Sequence, residues 1–259
     1  MMGVHPTALV DPGARIGDGV EIGPFCVIGP DVVLGDGVTL KSHVVVQGDT
    51  EIGAGTVVFS FAVLGEIPQD LKYAGERTCL RIGPRNRIRE HVTMNLGTTG
   101  GGGVTRVGED SLFMAGCHVA HDAQVGDRVV VANSAAIAGH CVIGDDVIIG
   151  GLAGIHQWVR VGQGAIVGAL AMVTHDVIPF GLVQGPRGEL DGLNLVGLKR
   201  RGTPREEIAA LRAAYATLRD GEGPFQDRAR ALGDSESSMV RDVAEFVMSA
   251  SDRQFLTPR

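Results

Sequence analysis

The chain has 259 residues, 44% of them hydrophobic and 20% charged, which suits one packed domain with a modest appendage and not a disordered chain. Its net charge of −7 makes it a poor general binder of nucleic acid or of anionic membrane surfaces. No apolar run reaches the ~18 residues of a spanning helix, so no transmembrane segment is expected.

The opening MMGVHPTALVDPGAR has neither a basic start nor an apolar stretch, so no signal peptide is expected, and a cytoplasmic location is. The four cysteines, Cys26, Cys79, Cys117 and Cys141, contain no CxxC pair and are expected to be reduced. Glycine is the outlier: 39 residues, about twice the usual share.

An aliphatic residue recurs every six positions, as Val4, Val10, Ile16, Ile22, Ile28 and Leu34, and on through Val58 and Leu64. The period resumes at Ile82, Ile88 and Met94, and again from Val107 and Phe113 to Val173. Six fits neither a helix of 3.6 residues per turn nor simple strand alternation. It fits short strands joined by tight turns, three hexads closing a triangular coil of 18 residues. Counting the aliphatic residue as the first place, the fifth stays small or β-branched, as in Ala8, Cys26, Val38, Ala123 and Cys141. The first place is expected to fill the prism and the fifth a crowded inner corner. Cys26, Cys117 and Cys141 fall in the fifth place and read as small buried hydrophobes. Glycines after the aliphatic residue, such as Gly17, Gly23, Gly29 and Gly144, are expected to supply positive φ at the corners.

The period breaks at residues 70–81, DLKYAGERTCLR, and at 100–106, GGGGVTR, which shifts the phase by seven. Both read as loops pushed out from the prism, where function often resides. Beyond Ile178-Pro179 comes an irregular stretch. Residues 199–259 then carry 11 basic and 10 acidic side chains, against 12 and 20 in the 198 residues before. Thr203-Pro204-Arg205-Glu206 reads as a capping box. Helices are expected after it, at 224–232 and at 235–249. The division is thus a mainly β prism over 1–190 and an α-helical subdomain over 191–259.

Four histidines, His118, His121, His140 and His156, avoid the inward places and gather over two coils. With an 18-residue coil, His140 lies one coil beyond Asp122, on the outer surface. A carboxylate beside His121 suits a general base, because it fixes the tautomer and supports the charged ring. An outward column, Leu112, Val130, Ile148 and Ile166, suits either self-association or an acyl groove.

The segments GEIPQDLKYAGE, NRIREHVTMNLGT, HVAHD, IAGH, GLAGIHQ and GLNLVGLKRRG together resemble the UDP-N-acetylglucosamine O-acyltransferases of lipid A biosynthesis, over nearly the whole chain. The resemblance implies a left-handed parallel β-helix; for a three-sided prism with such an outward column a closed homotrimer is the expected assembly. The resemblance also implies transfer of a 3-hydroxyacyl chain from acyl carrier protein to the 3-position of UDP-N-acetylglucosamine, with no cofactor or metal beyond the carrier's phosphopantetheine. It places the base on His121, its orienting carboxylate on Asp122, and an oxyanion-binding N–H on Gly139. It places substrate contacts on Gln69, Asp70, Lys72, His118, His140 and Gln157, and nucleotide contacts on Asn194, Arg200 and Arg201. Ala169, near Ile166 and Met172, matches the residue that limits acyl length; an alanine there implies a donor of roughly twelve carbons, one methyl being worth ~0.8 kcal/mol.

Two departures bear on the acceptor. Val196 stands where the family often has Glu near the nucleoside, and Asn95-Leu96 where a polar-basic pair is usual. The second leaves open a 3-amino UDP-sugar and an amide product. The rival readings are the N-acyltransferase acting two acylations later, which carries an extra N-terminal domain; a zinc hydratase of the γ-carbonic-anhydrase type, whose ligand spacing His118 and His121 do not match; and a non-catalytic scaffold.

Overall fold

The computed structural model describes residues 3–251 and 253–258. Strands of mostly two residues build three sheets of eleven, nine and eight strands. The first sheet starts at Gly3–Val4, the second at Leu9–Val10 and the third at Arg15–Ile16. Within each, strands pair in parallel one coil apart, as Val4 with Ile22 and Val10 with Ile28. The chain visits the sheets in rotation, so three corners run the length of a prism. Corner one joins the first sheet to the second, corner two the second to the third, and corner three the third to the first.

First and fifth places are buried from Val20 onward, as at Ile22, Ile28, Cys26 and Val38, while the first coil leaves Val4 exposed and Val10 and Ile16 half-buried. The expectation about corner glycines holds in part: Gly19, Gly37, Gly55, Gly116 and Gly164 do supply positive φ, but from the fourth place and not from the place after the aliphatic residue. The left-handed backbone sits at the fourth place and is often not glycine: Phe25 (φ 59°), His43 (58°), Asp122 (61°), His140 (61°) and Trp158 (67°). Gly17 and Gly23, just after the aliphatic residue, are needed for another reason. A Cβ on Gly17 would stand 2.5 Å from Asp36 Oδ1, and one on Gly23 2.8 Å from the Lys41 carbonyl oxygen. Close stacking of coils excludes the side chain there.

Both interruptions open from corner two. Val63–Glu66 and Thr93–Asn95 lie in the second sheet, Cys79–Ile82 and Val104–Val107 in the third. Residues 67–78 and 96–103 therefore leave and re-enter the same edge. Both loops begin and end earlier than expected, each ending three residues sooner, because Cys79, Leu80 and Arg81, and Val104, Thr105 and Arg106, are already paired strand residues. Val57 pairs with Arg87, 30 positions on, and Thr93 with His118, 25 on, so the insertions displace the 18-residue register by 12 and by 7.

The stretch expected to be irregular is instead an antiparallel hairpin of Gly181–Gln184 and Glu189–Leu193, continuing the first sheet. Its strands lack the hexad pattern because they close the prism's end. Four helices follow: α1 (Leu195–Arg200), α2 (Arg205–Asp220), α3 (Phe225–Arg230) and α4 (Ser238–Met248). The expected capping box does not form: Pro204 occupies the N-cap with no side-chain bond, and the Thr203 N–H donates back to Leu198 O at 3.1 Å. α2 buries Ile208, Leu211, Ala214 and Leu218, and α4 buries Val240, Val243, Ala244 and Val247. The tail then pairs with the last coil, Phe255 beside Asp176 and Pro258 beside Leu190. Among the described residues no helix is long and apolar enough to cross a membrane.

Candidate active site at corner two

Asp122, His140 and Trp158 are successive fourth-place residues at corner two; His121, Gly139 and Gln157 are the third-place residues beside them. Their left-handed backbones turn the side chains outward. The surface placement expected for His121 is corrected, however: it is 4% exposed and Asp122 is 3%. Both lie outside the aliphatic core but beneath the loop 96–103. Thr98 secures that loop. Its backbone N–H donates to Asp122 Oδ1 at 2.8 Å and its hydroxyl to Oδ2 at 2.6 Å. Gly101 lies against the same carboxylate, since a Cβ there would be 2.1 Å from Asp122 Cγ. Thr105 supports it from below by accepting the Asp122 N–H at 2.8 Å.

His121 Nδ1 is 2.8 Å from Asp122 Oδ2. The carboxylate accepts, so the ring proton sits on Nδ1 and the Nε2 lone pair is free. Gly139, one coil away, has an N–H with no acceptor among the described residues, while its carbonyl accepts from the Trp158 N–H. A Cβ on Gly139 would stand 2.7 Å from His121 Nε2. The imidazole thus packs directly on the Gly139 backbone, an approach that only a residue without a side chain allows.

His140 packs edge-on to His121 with centroids 4.9 Å apart, and Trp158 stacks on His140 at 3.9 Å and 8°. His118 Nδ1 is 2.7 Å from the Thr93 hydroxyl. Burial is the largest influence on both His118 and His140 and holds each below its ordinary value; the neighbouring His121 pushes the same way. Asp122 opposes this at His140, and Asp70 and Lys72 of the loop 67–78 also act on that ring, Asp70 raising and Lys72 lowering its pKa. Asp70 itself accepts the Lys72 N–H at 3.0 Å, and Gln69 is exposed beside them. Asn95 is buried, donating to Glu66 O and Ile67 O at the root of this loop, and Leu96 packs beneath it. Both side chains are buried, although Asn95 Oδ1 has no hydrogen-bond partner among the described residues.

The remaining expected residues lie elsewhere. Asn194 is 4% exposed and committed to structure: its Oδ1 accepts from Gly197 N as the N-cap of α1, and its Nδ2 donates to Gly164 O at corner three. Arg200 and Arg201 are exposed at the end of α1, with Arg201 against Gly164. Ile166 continues the column Leu112, Val130 and Ile148, but that column belongs to the first sheet. Met172 lies instead on the second sheet, in line with His118, Ala136 and Gly154. Ala169 is exposed at corner one, flanking that sheet. Thr98, Gly101 and Trp158 were not singled out in advance. Tracing which strands flank each insertion would have placed the loop of Thr98 and Gly101 at corner two.

One group of possible metal ligands occurs among the described residues, His121, Asp122 and His140, with ligand atoms within 4.8 Å of one another. The Asp122 carboxylate already accepts three hydrogen bonds, which an ion would have to displace. Burial pushes the Cys117 and Cys141 thiols up to about 12, so neither offers a thiolate.

A family model described as "Udp N-acetylglucosamine O-acyltransferase; Domain 2" matches residues 176–256, and bacterial transferase hexapeptide repeats match 13–48 and 105–139. The acyl-[acyl-carrier-protein]–UDP-N-acetylglucosamine O-acyltransferase of Paracoccus denitrificans is 67% identical over 203 residues, 78% of this chain and 77% of that one. The protein of the same name from Caulobacter vibrioides is 56% identical over 259 residues, 99% and 98% of the two chains. The solved structure of UDP-N-acetylglucosamine acyltransferase from Campylobacter jejuni superposes with a TM-score of 0.93 at 37% identity, covering 98% of this chain and 99% of that one. The prism, with its hexapeptide repeats and these structural neighbours, is a left-handed parallel β-helix bearing C-terminal helices. The chain belongs to the acyl-[acyl-carrier-protein]–UDP-N-acetylglucosamine O-acyltransferase family.

Proposed function

We propose that the chain transfers a 3-hydroxyacyl group from acyl carrier protein to the 3-hydroxyl of UDP-N-acetylglucosamine, the first step of lipid A biosynthesis. The observation that carries this reading is the His121 imidazole, its Nε2 lone pair left free by the Nδ1–Asp122 bond, packed against Gly139, whose N–H has no acceptor among the described residues. Nε2 takes the sugar hydroxyl proton as the oxygen attacks the thioester carbonyl. The Gly139 N–H receives the oxyanion, and the new C–O bond forms as the C–S bond breaks. Protonated His121 returns its proton to the departing thiolate. Asp122 keeps the tautomer and stabilises the charged ring, and the loop 96–103 excludes water from it.

The outer face of the second sheet supports the donor reading. From His118 it passes Ala136 and Gly154 to Met172, three coils away. Small residues leave a shallow floor, and three coil spacings give ~14 Å. An extended chain advances ~1.2 Å per bond, so this floor fits about twelve bonds. Met172 and Ala169 bound its far end; Ile166 lies round corner one.

The position of the arginines supports assembly as a homotrimer. Arg200 and Arg201 sit near corner three and His121 at corner two. One UDP-sugar meets both only where corner three of one copy faces corner two of another. The same exposed basic run suits an acidic carrier protein. The enzyme works in the cytoplasm, and its only prosthetic group is the carrier's phosphopantetheine. Incubation with UDP-N-acetylglucosamine or its 3-amino analogue and a panel of 3-hydroxyacyl carrier proteins, read by mass spectrometry, tests donor and acceptor together. An ester of the normal sugar is expected; a product only from the amino sugar would move the reading to amide formation.

A further inference from the structure

Residues beyond α4 return over corner two. The Gln254 carbonyl accepts from the Asp176 N–H at 2.8 Å, and the Leu256 N–H donates to the Asp176 carbonyl at 2.9 Å. Asp176 is the next fourth-place residue after Trp158, so the tail lies where another coil would have continued corner two. From this strap Arg253 reaches back. Its Nε donates to the Gln157 carbonyl at 3.1 Å, and its Nη2 is 2.8 Å from His156 Nδ1. Arginine only donates, so His156 accepts at Nδ1. The 3.2 Å separation of His156 Nδ1 from the Gln157 carbonyl then brings two acceptors together beneath one guanidinium fork.

We infer that Arg253 is a positioning residue for the acyl-transfer site, fixing the turn 156–158 from the C-terminal strap. Gln157 follows Gly139 in the third-place column, and Trp158 is the outer plate against His140. The chain of contact is short: strap, turn 156–158, Trp158, His140, His121. Without the fork, the Gln157 carbonyl and the His156 ring lose a shared donor, and the turn gains freedom at the wall of the site. Anchorage of the strap itself lies elsewhere, in buried Asp176, whose Oδ2 accepts from Arg160 Nε at 2.7 Å and from Ser251 Oγ at 2.6 Å. Ser251 Oγ also accepts the Arg253 backbone N–H at 3.0 Å, so Ser251 fixes the strap's backbone while the Arg253 side chain alone reaches the turn. The inference rests on the acyltransferase reading for its kinetic test and is independent of it for its optical one.

Trp158 is the only tryptophan, so its emission reports the turn without any turnover. Arg253→Ala and Arg253→Lys are compared with Ser251→Ala. Lysine keeps the aliphatic stem but cannot hold two acceptors in a fork. Arg253→Ala is expected to shift Trp158 emission and to raise KM for the acyl donor roughly 3- to 10-fold with kcat little changed, the size of losing one or two outer hydrogen bonds. Arg253→Lys should show the same changes at smaller amplitude, and it carries the test if the alanine variant does not fold. Ser251→Ala, which keeps the Arg253 fork but loosens the strap's backbone, should lower the melting temperature and change emission and KM less than Arg253→Ala does. Unchanged emission and unchanged KM in both Arg253 variants would overturn the inference. So would a Ser251→Ala variant that reproduces every Arg253 effect. Absence of acyl transfer by the unmodified protein would count against the acyltransferase reading alone, and emission would still decide the role of Arg253.

Discussion

Gly139 lies one coil beyond His121, and a Cβ placed on it would stand 2.5 Å from His121 Cε1. The glycine is therefore not a hinge but a space: the imidazole occupies the volume a side chain would fill. Gly139→Ala must displace the ring or the coil. It is expected to lose transfer activity by about 10²-fold or more, the scale of a misplaced oxyanion donor, while the prism stays folded by circular dichroism. Normal turnover in this variant would show that the close contact of Gly139 with His121 is not where the reaction takes place.

Thr98 offers a finer test of the carboxylate. Thr98→Val retains shape and the backbone bond to Asp122 Oδ1 but deletes the hydroxyl bond to Oδ2, the oxygen that also holds His121. A fall in kcat of roughly 5- to 50-fold is expected, about 1–2.3 kcal/mol, with KM little altered and with Thr98→Ser restoring most of the rate. Equal loss in the serine variant would assign the effect to packing and not to the hydroxyl.

How much of this was legible in the sequence depends on the residue. Val4, Ile22 and Ile143 declare the coil because an inward place tolerates little but an aliphatic side chain, and Cys26 and Cys141 declare the crowded fifth place. His121 and Asp122 could be assigned to the outside of the prism from phase alone. Their burial could not, because it comes from Thr98 and Gly101 folding back over them, 20 or more positions away in sequence. Arg253 was illegible for the same reason: its contact with Gln157 spans 96 positions and follows no repeat. Glycine serves two purposes that composition alone does not separate: Gly19 and Gly37 answer to positive φ at the corner, Gly17 and Gly23 to the neighbouring coil.

Acid stability has a defined sign. Burial holds His118 and His140 below the 6.5 of an ordinary histidine. The unfolded chain therefore binds protons first as pH falls, and the contribution of these two groups to stability, complete above pH 6.5, is lost between 6.5 and their lower folded values. Melting temperature should fall on acidification through that window, and His118→Asn or His140→Asn should flatten the fall. An unaltered pH slope in both variants would remove these histidines from the account.

Ala169 tests the donor groove. Ala169→Gly should favour longer 3-hydroxyacyl donors and Ala169→Met shorter ones, each by a few carbons, since each CH₂ left unburied forfeits ~0.8 kcal/mol. Ile166→Ala, on the first sheet, should leave the preference alone. A donor panel in which Ile166→Ala shifts the preference and neither Ala169 variant does would move the groove to the first sheet.

The central claim, that the corner-two imidazole drives acyl transfer, is tested most directly by comparing the unmodified protein with His121→Ala under single-turnover conditions with 3-hydroxyacyl carrier protein and UDP-N-acetylglucosamine. The account predicts an acylated UDP-sugar of the expected mass from the unmodified protein and a rate lower by ~10²–10⁴-fold in the variant, with the fold retained. A His121→Ala variant that forms the same product at an undiminished rate would contradict it.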